Sequence, residues 1–183
     1  ITFALDTRDP YTGGHSQRVS DMALEVCKIL NLDKNETEKV HIAAHLHDIG
    51  KIGVPDAVLQ KQGKLTENEW QQMKKHPEYG ANILKKSHRL SELSEIVLMH
   101  HERFDGKGYP FGKSGNEIPL GARIIAICDS IDAMTSNRCY RKSLNFETCY
   151  NEIKINLGKM YDPQIGQKVL DNWPQIIGVL AQA

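Results

Sequence analysis

The sequence predicts an all-α fold, a compact helical bundle formed by one domain across residues 1–183. Three observations support this prediction. Apolar residues recur at three- and four-residue spacing in several segments, as they do on the buried face of a helix. Residues that commonly cap helices stand before several of these segments. One run, Ile124–Ile127, would also suit a β-strand, but no second β-rich run exists to pair with it.

Two helices are predicted before residue 51. Residues 14–31 carry an apolar residue at nearly every third or fourth position, and this helix opens at His15 after Gly14. A second helix begins near residue 35 and ends near Gly50, where glycine interrupts the pattern. The apolar residues that define the two helices are Val19, Met22, Ala23, Val26, Ile29, Leu30, Val40, Ala43, Ala44 and Leu46.

Three more helices are predicted between residues 66 and 101. Thr66 and Glu69 have the spacing of a capping box, so a helix follows Thr66. Pro77 suits the first turn of a helix that begins at His76. The next helix is predicted to place on one face Leu93, Ile96, Val97 and His100.

Two helices are predicted in the last third of the chain. The isoleucine-rich segment Leu120–Thr135 is expected to be the buried central helix. Asp162 followed by Pro163 is a typical helix start, and it predicts a last helix through about Leu170. The longest irregular stretch is 103–119, with four glycines and two prolines. Loops of this length are more often functional than idle.

Composition excludes several functional classes. The chain has 23 basic and 23 acidic residues, so no overall charge favours nucleic acid. No apolar run approaches the roughly 18 residues of a membrane span. The four cysteines have no C-x-x-C spacing, which argues against a structural zinc site or a disulfide framework. Scattered thiols of this kind suit a reducing, cytoplasmic compartment.

The chain begins with Ile1 rather than Met, and residues 1–9 read as the tail of a helix. This pattern indicates a domain cut from a longer chain. We expect the missing part upstream, as an N-terminal sensory or receiver domain.

The most informative feature is the pair His47-Asp48 in the run His-Asp-Ile-Gly-Lys at 47–51. An imidazole next to a carboxylate offers two metal ligands of different charge, and the carboxylate can bridge two cations. An adjacent pair alone is weak evidence. Here, other candidate ligands also stand at predicted helix ends or on the core helix, and a helical bundle can bring such positions to one internal site. These candidates are His15, His76, His100, His101 and Asp129.

The motifs around these residues occur in a recognisable order. They are His15-x-x-Arg18-Val19, the 47–51 run, His76-Pro-x-x-Gly80, His100-His-Glu-x-x-Asp-Gly-x-Gly-Tyr-Pro110, Asp129-x-x-Asp132-Ala133, Arg138 and Tyr140-Arg141. This order closely resembles the HD-GYP domain, a branch of the HD phosphohydrolase superfamily. The resemblance covers essentially the whole chain, and the 100–110 motif is its most specific part.

The resemblance implies an all-α HD-type fold with a metal centre in the bundle core. It also implies a phosphodiesterase that opens cyclic di-GMP to linear pGpG and, in many members, GMP. Asp48 is expected to bridge the metals, and Lys51, Asp132 and Arg138 match positions linked to substrate contact. The ligands that the resemblance implies are His15, His47, Asp48, His76, His100, His101 and Asp129.

Physical chemistry supports the same roles. Two divalent cations would bind the phosphate oxygens and acidify a bridging water, whose hydroxide attacks phosphorus. Lys51 and Arg138 would add positive charge at the phosphate, so Lys51 is a catalytic candidate beside Asp48. A mixed nitrogen and oxygen ligand set suits iron or manganese and would also accept zinc or nickel. We favour iron, partly from the family, with manganese next.

Tyr11 bears on the number of metals. Some HD-GYP members carry a glutamate four residues before the equivalent of His15, where it is an extra ligand, and this chain has Tyr11 there. A neutral phenol is a poor ligand for a hard cation, so two metals rather than three are expected. Tyr11 would instead line the pocket and stack on a guanine, or pack against the first helix.

The loop 103–110 has three interpretations. It would shape the pocket rim, since Gly106 and Gly108 permit close approach to a ligand. It would dock partner signalling domains through exposed Arg103, Phe104 and Lys107. In the third interpretation, the loop is a rigid structural element that contacts neither a ligand nor a partner.

Two rival functions stay open. One is hydrolysis of another cyclic dinucleotide, such as cyclic GMP-AMP. The other is a catalytically weak sensor that binds cyclic di-GMP and signals by contact. Intact metal-ligand motifs argue against the sensor, because silent relatives usually lose some of them.

Overall fold

A computed structural model of the chain describes residues 14–136 and 143–180. Within those ranges there is no strand, only two isolated β-bridges, Asp105 with Ser114 and Leu157 with Tyr161. The predicted all-α class is confirmed. The α-helices are α1 His15–Ile29, α2 Lys34–Leu46, α3 Asp56–Leu59, α4 Glu67–Met73, α5 His76–Lys85, α6 Ser94–Met99, α7 Leu120–Thr135, α8 Phe146–Ile155, α9 Pro163–Asp171 and α10 Trp173–Leu180.

The predicted capping signals form. Thr66 accepts from the Glu69 amide at the start of α4, and the Glu69 side chain accepts from the Thr66 amide. Asp162 accepts from two amides of the first turn of α9, as its place before Pro163 predicts. Short 3₁₀ turns complete the chain path at Ile49–Gly53, Ser91–Leu93 and Gly115–Glu117.

The core is built around α7. This helix packs against α1, α2, α6, α8 and α9. Ile124, Ile125, Ile127 and Ile131 are fully buried, which confirms that α7 is the central helix. Apolar side chains of α1 and α2 complete the same core. A smaller apolar cluster lies apart from it, around Val54, Val58 and Leu59.

Several bounds differ from the sequence prediction. Helix α2 ends at Leu46, and a 3₁₀ turn takes the chain past Gly50. Helix α9 is not the last, because α10 follows it at once. Helices α3 and α8 were not predicted either. The predicted helix tail at 1–9 lies outside the described residues. Among the described residues, no helix combines the length and apolar character needed to cross a membrane.

Candidate metal centre

Seven side chains converge where α1, α2, α5, α6 and α7 meet. They form three overlapping groups, and within each group the donor atoms lie within 4.8 Å of one another. The structure therefore brings together every residue predicted as a metal ligand. The groups are His76, His100 and His101; His15, His47 and Asp129; and His47, Asp48 and His100.

Helix ends place most of these residues, and Asp129 lies within α7. His15 is the first residue of α1, where Gly14 precedes it with a left-handed φ of 71°. His47 follows the last residue of α2, and Asp48 begins the turn beyond it. His100 follows α6 in the same way. Residues at helix ends point inward without interrupting a helix, so one bundle can gather them at one place.

Gly50 brings His76 to Asp48. A Cβ at Gly50 would lie 1.8 Å from the carbonyl oxygen of His76 and 2.4 Å from the amide nitrogen of Gly80. No other residue fits this approach, because any side chain would collide with backbone. The glycine after His47-Asp48 thus does more than end a helix. It lets the start of α5 lie directly against the 3₁₀ turn.

Hydrogen bonds at Nδ1 orient four of the histidines. In His47, His76 and His100, Nδ1 lies 2.6–2.8 Å from the carbonyl oxygen three residues earlier. In His15, Nδ1 lies 2.7 Å from the Asp132 carboxylate. Carbonyl and carboxylate oxygens only accept, so Nδ1 carries the proton in each ring. The Nε2 lone pair of each neutral ring is then free to bind a cation.

Asp48 lies between two sets of histidines. Its Oδ1 is 3.3 Å from Nε2 of His76, while its Oδ2 is 3.4 Å from Nε2 of His47 and 3.7 Å from Nε2 of His15. Each oxygen therefore faces a different part of the site. This is the arrangement expected of a carboxylate that bridges two cations.

The residues present fit a metal. Nε2 atoms face one another at 3.3 Å between His15 and His47, and at 3.4 Å between His76 and His100. With Nδ1 protonated, neither pair can form a hydrogen bond while the rings are neutral. Burial lowers the pKa of His76, and it lowers that of His100 well below its ordinary value. For His76 and His100, lone pairs pointed at each other need a positive charge between them. Burial alone would lower the pKa of His15, but Asp132, Asp129 and Asp48 raise it, so a shared proton would also satisfy its pair with His47.

Lys51 supplies one positive charge at the site. Its Nζ lies 2.8 Å from Oδ2 of Asp48. Burial alone would raise the pKa of Asp48, but Lys51 and the neighbouring histidines hold it well below its ordinary value. Asp48 is therefore ionised and ready to bind cations.

The two aspartates of α7 differ in a way the sequence analysis did not foresee. Asp129, expected to be buried, has a side chain that is 20% exposed, with Oδ1 3.4 Å from Nε2 of His15. Asp132 is the deeply buried one, at 1% exposure. Its carboxylate accepts from His15 Nδ1 at 2.7 Å and from Arg18 Nε at 2.6 Å. Arg18, for which the sequence predicted no role of its own, therefore hydrogen-bonds the carboxylate that orients His15.

His101 adjoins the site through its ring. Its centroid lies 4.0 Å from that of His100. On the other side it stacks on Tyr109, with centroids 4.8 Å apart and planes at 29°. Burial and the neighbouring histidines lower the pKa of His101 well below its ordinary value.

The loop 103–110 is tied to the rest of the chain. Phe104 and Asp105 donate their amides to the carbonyls of Met160 and Lys159. A Cβ at Gly108 would lie 2.3 Å from the Arg103 amide nitrogen, so this glycine admits the loop's own backbone rather than a ligand. That corrects the sequence-based interpretation of Gly108.

The exposure expected on this loop is also corrected. Of the three side chains predicted to be exposed, only Lys107 is. Arg103 and Phe104 are half-buried, because Arg103 pairs with Asp105 and the loop packs against residues 159 and 160. Tyr11 and Arg138, both predicted to contact substrate, lie outside the described residues.

Comparisons with known proteins agree with this geometry. The HD domain family model matches residues 3–165. A 3'3'-cGAMP-specific phosphodiesterase of Vibrio cholerae is 36% identical over 97% of this chain and 34% of its own length. A cyclic di-GMP phosphodiesterase response regulator of Xanthomonas campestris is 38% identical over 98% of the chain and 48% of its own length. The cyclic di-GMP phosphodiesterase of Thermotoga maritima is 40% identical over 93% of the chain and 47% of its own length.

Solved structures share the fold. The crystal structure of a cyclic GMP-AMP specific phosphodiesterase of V. cholerae has a TM-score of 0.76 at 17% identity, covering 98% of this chain and 48% of that one. The HD domain of the L. monocytogenes phosphodiesterase PgpH has a TM-score of 0.70 at 21% identity, covering 99% of this chain and 97% of that one.

The chain spans between about a third and a half of the curated relatives just described. The family model nevertheless covers most of the chain, and the histidine and aspartate positions predicted from its motifs meet at one place. The chain belongs to the HD domain family, in its HD-GYP branch.

Proposed function

We propose that this domain is a metal-dependent phosphodiesterase that hydrolyses cyclic di-GMP to linear pGpG and further to GMP where a second cleavage follows. One observation carries the proposal. The two oxygens of Asp48 face different histidines, at 3.3 Å from His76 and 3.4 Å from His47, inside a ring of Nε2 lone pairs. A centre built in this way suits two divalent cations better than one.

The ligand residues divide into two subsites in this proposal. Asp48 would bridge the two cations. His15, His47 and Asp129 would hold one cation, and His76, His100 and His101 would hold the other. When bound, divalent cations supply positive charge for the non-bridging phosphate oxygens and acidify water for attack on phosphorus. Iron is our first choice and manganese our second, because imidazole and carboxylate donors without thiolate suit both.

Lys51 is the catalytic side chain beside the metals. It holds Asp48 in its ionised form at 2.8 Å. Because Lys51 lies beside the carboxylate that would bind the cations, its ammonium would add a charge-assisted hydrogen bond to a phosphate oxygen bound there. Arg138 is proposed to do the same from the segment that follows α7, and Tyr11 to line the pocket.

For Asp132 we propose a different role from the expected substrate contact. Its oxygens accept from His15 and Arg18, and only 1% of the residue is exposed. We therefore propose that it positions His15 rather than contacts the substrate.

Cyclic GMP-AMP is the second candidate substrate, because relatives with 33–38% identity are named for it. Competitive hydrolysis of equal amounts of the two cyclic dinucleotides by the metal-replete protein tests the choice. Faster loss of cyclic di-GMP supports the proposal, and faster loss of cyclic GMP-AMP replaces it. Binding without hydrolysis of either would favour the sensor function.

Two further expectations stay predictions. One is a cytoplasmic location, which suits free, buried thiols such as Cys27 and Cys128. The other is docking of partner signalling domains at the loop 103–110, for which Lys107 is the exposed charge.

A further inference from the structure

Trp70 stands at the outer end of three aromatic rings that lead from the metal centre to the surface. His101, in one of the candidate ligand groups, stacks on Tyr109 with ring centroids 4.8 Å apart. Tyr109 in turn meets Trp70 at 6.2 Å, with the planes at 78°. Each step is a direct ring contact. The indole is therefore linked to the metal centre without an intervening gap.

Trp70 itself is not a core residue. It is 41% exposed, and its short helix α4 contributes no buried residue. Because the contact with Tyr109 leaves Trp70 41% exposed, part of the indole is open to another planar group. Lys74 Nζ lies over the ring at 6.0 Å and brings positive charge to the same place. An exposed indole beside an ammonium matches a nucleotide, with a flat base and a charged phosphate.

We propose that Trp70 is a stacking platform for one nucleobase of a cyclic dinucleotide whose phosphate is held at the metal centre. The inference deepens the proposed function and rests on it. In a cyclic dinucleotide every phosphate has a base on either side, so a platform two ring contacts from the phosphate site is placed to meet one of them. All bases have a π-face, hence the platform adds affinity without choosing guanine over adenine. Any preference for guanine over adenine must then come from contacts with other residues.

Fluorescence tests the contact without relying on catalysis. The chain has two tryptophans, and Trp173 is 9% exposed. In the metal-loaded Trp173→Phe protein, Trp70 is the sole indole. Stopped-flow mixing with cyclic di-GMP reads binding before turnover, and the expected result is saturable quenching. If Trp173→Phe does not fold, the quenching in Trp70→Phe is subtracted from that in wild type, and the difference is the signal of Trp70. A binding signal by calorimetry with no change in Trp70 emission overturns the inference.

Kinetics separate stacking from a structural role. Trp70→Ala is expected to raise KM for cyclic di-GMP by roughly 5- to 150-fold, the usual effect of losing one base stack. Metal content and kcat should stay near wild type. Trp70→Phe should recover most of the loss, and cyclic GMP-AMP should suffer by a similar factor. Ile83→Ala is the control, because Ile83 is equally exposed, at 41%, and cannot stack on a base.

The remaining outcomes are distinct. An unchanged KM in Trp70→Ala overturns the inference and leaves the proposed function standing. A fall in melting temperature, metal content and kcat at unchanged KM also overturns it, since Trp70 would then only support the fold. If wild type hydrolyses neither dinucleotide, the proposed function fails, and the quenching measurement alone decides whether Trp70 stacks on a base.

Discussion

Nδ1 of His15 lies 2.7 Å from Oδ2 of the buried Asp132. The other oxygen of Asp132 accepts from Arg18 at 2.6 Å. This pair fixes the ring of His15 so that its Nε2 points toward Asp48 and Asp129. Carboxylate partners of this kind hold ligand histidines in one tautomer and orientation. Asp132 and Arg18 thus orient His15 toward the other candidate ligands.

Replacement of Asp132 by asparagine should weaken metal binding. Loss of the charged partner of His15 should lower metal affinity by about 10- to 100-fold, the range for outer-shell partners of ligands. Competition with a chelator of known affinity measures the change. Asp21→Asn is the control, since Asp21 accepts from Gln17 on the same helix. Wild-type metal affinity together with a raised KM would instead restore the substrate-contact role first expected of Asp132.

The same residue predicts a pH effect on stability. Burial alone would raise the pKa of Asp132, but hydrogen bonds from His15 and Arg18 lower it from 3.8 to about 2. Because the folded pKa is depressed, the contribution is complete above pH 4 and is lost as the pH falls toward 2. Its size is at most about 2 kcal/mol.

Urea unfolding of metal-free protein tests this window. The difference in unfolding free energy between wild type and Asp132→Asn should shrink between pH 4 and 2. A difference that is constant over that range would contradict the assignment.

Lys51→Ala and Arg138→Ala should keep the metals but impair the reaction. The Lys51 ammonium lies 2.8 Å from Asp48, yet it is not a metal ligand. Loss of a charge-assisted contact to phosphate should cost about 1.5–3 kcal/mol in KM or kcat. Lys113→Ala is a suitable control, because Lys113 pairs with Glu117 on the surface. Unchanged kinetics in both variants would mean that the metals alone bind the phosphate.

Two metals, rather than three, should be found per chain. The position four residues before His15 is Tyr11, and a neutral phenol replaces the carboxylate that a third cation would need. Linear pGpG should accumulate, because the second cleavage, from pGpG to GMP, would lack the help of a third cation. A crystal structure of metal-loaded protein checks the number, and three cations in one cluster would refute the prediction.

Local signals made much of the fold predictable. Capping residues such as Thr66 and Asp162 act through hydrogen bonds within one turn, so sequence alone locates the helix starts. Helix α10 was missed because Pro174 and Gly178 interrupt its apolar pattern. Its apolar residues are held by packing against α1, which no local pattern reveals.

The candidate site was predictable in its members but not in its internal arrangement. Asp129 and Asp132 are one turn apart on α7. The motif assigned Asp129 to the metals, but it did not indicate that Asp132 turns to α1. The approach of His15 and Arg18 to Asp132 decides it, across more than 100 residues of chain. The role of Gly108 was equally hidden from the sequence. The backbone that approaches it belongs to Arg103, and this contact exists only in the folded loop.

The most direct test of the bridged metal centre is to compare wild type with Asp48→Ala. Both proteins are purified without oxygen, analysed for metals by mass spectrometry and assayed for cyclic di-GMP hydrolysis. The exposed Asp171→Ala variant is the control. We expect wild type and control to hold two divalent cations and hydrolyse the substrate, and Asp48→Ala to lose most metal and all hydrolysis. Full metal occupancy with normal turnover in Asp48→Ala would contradict the account.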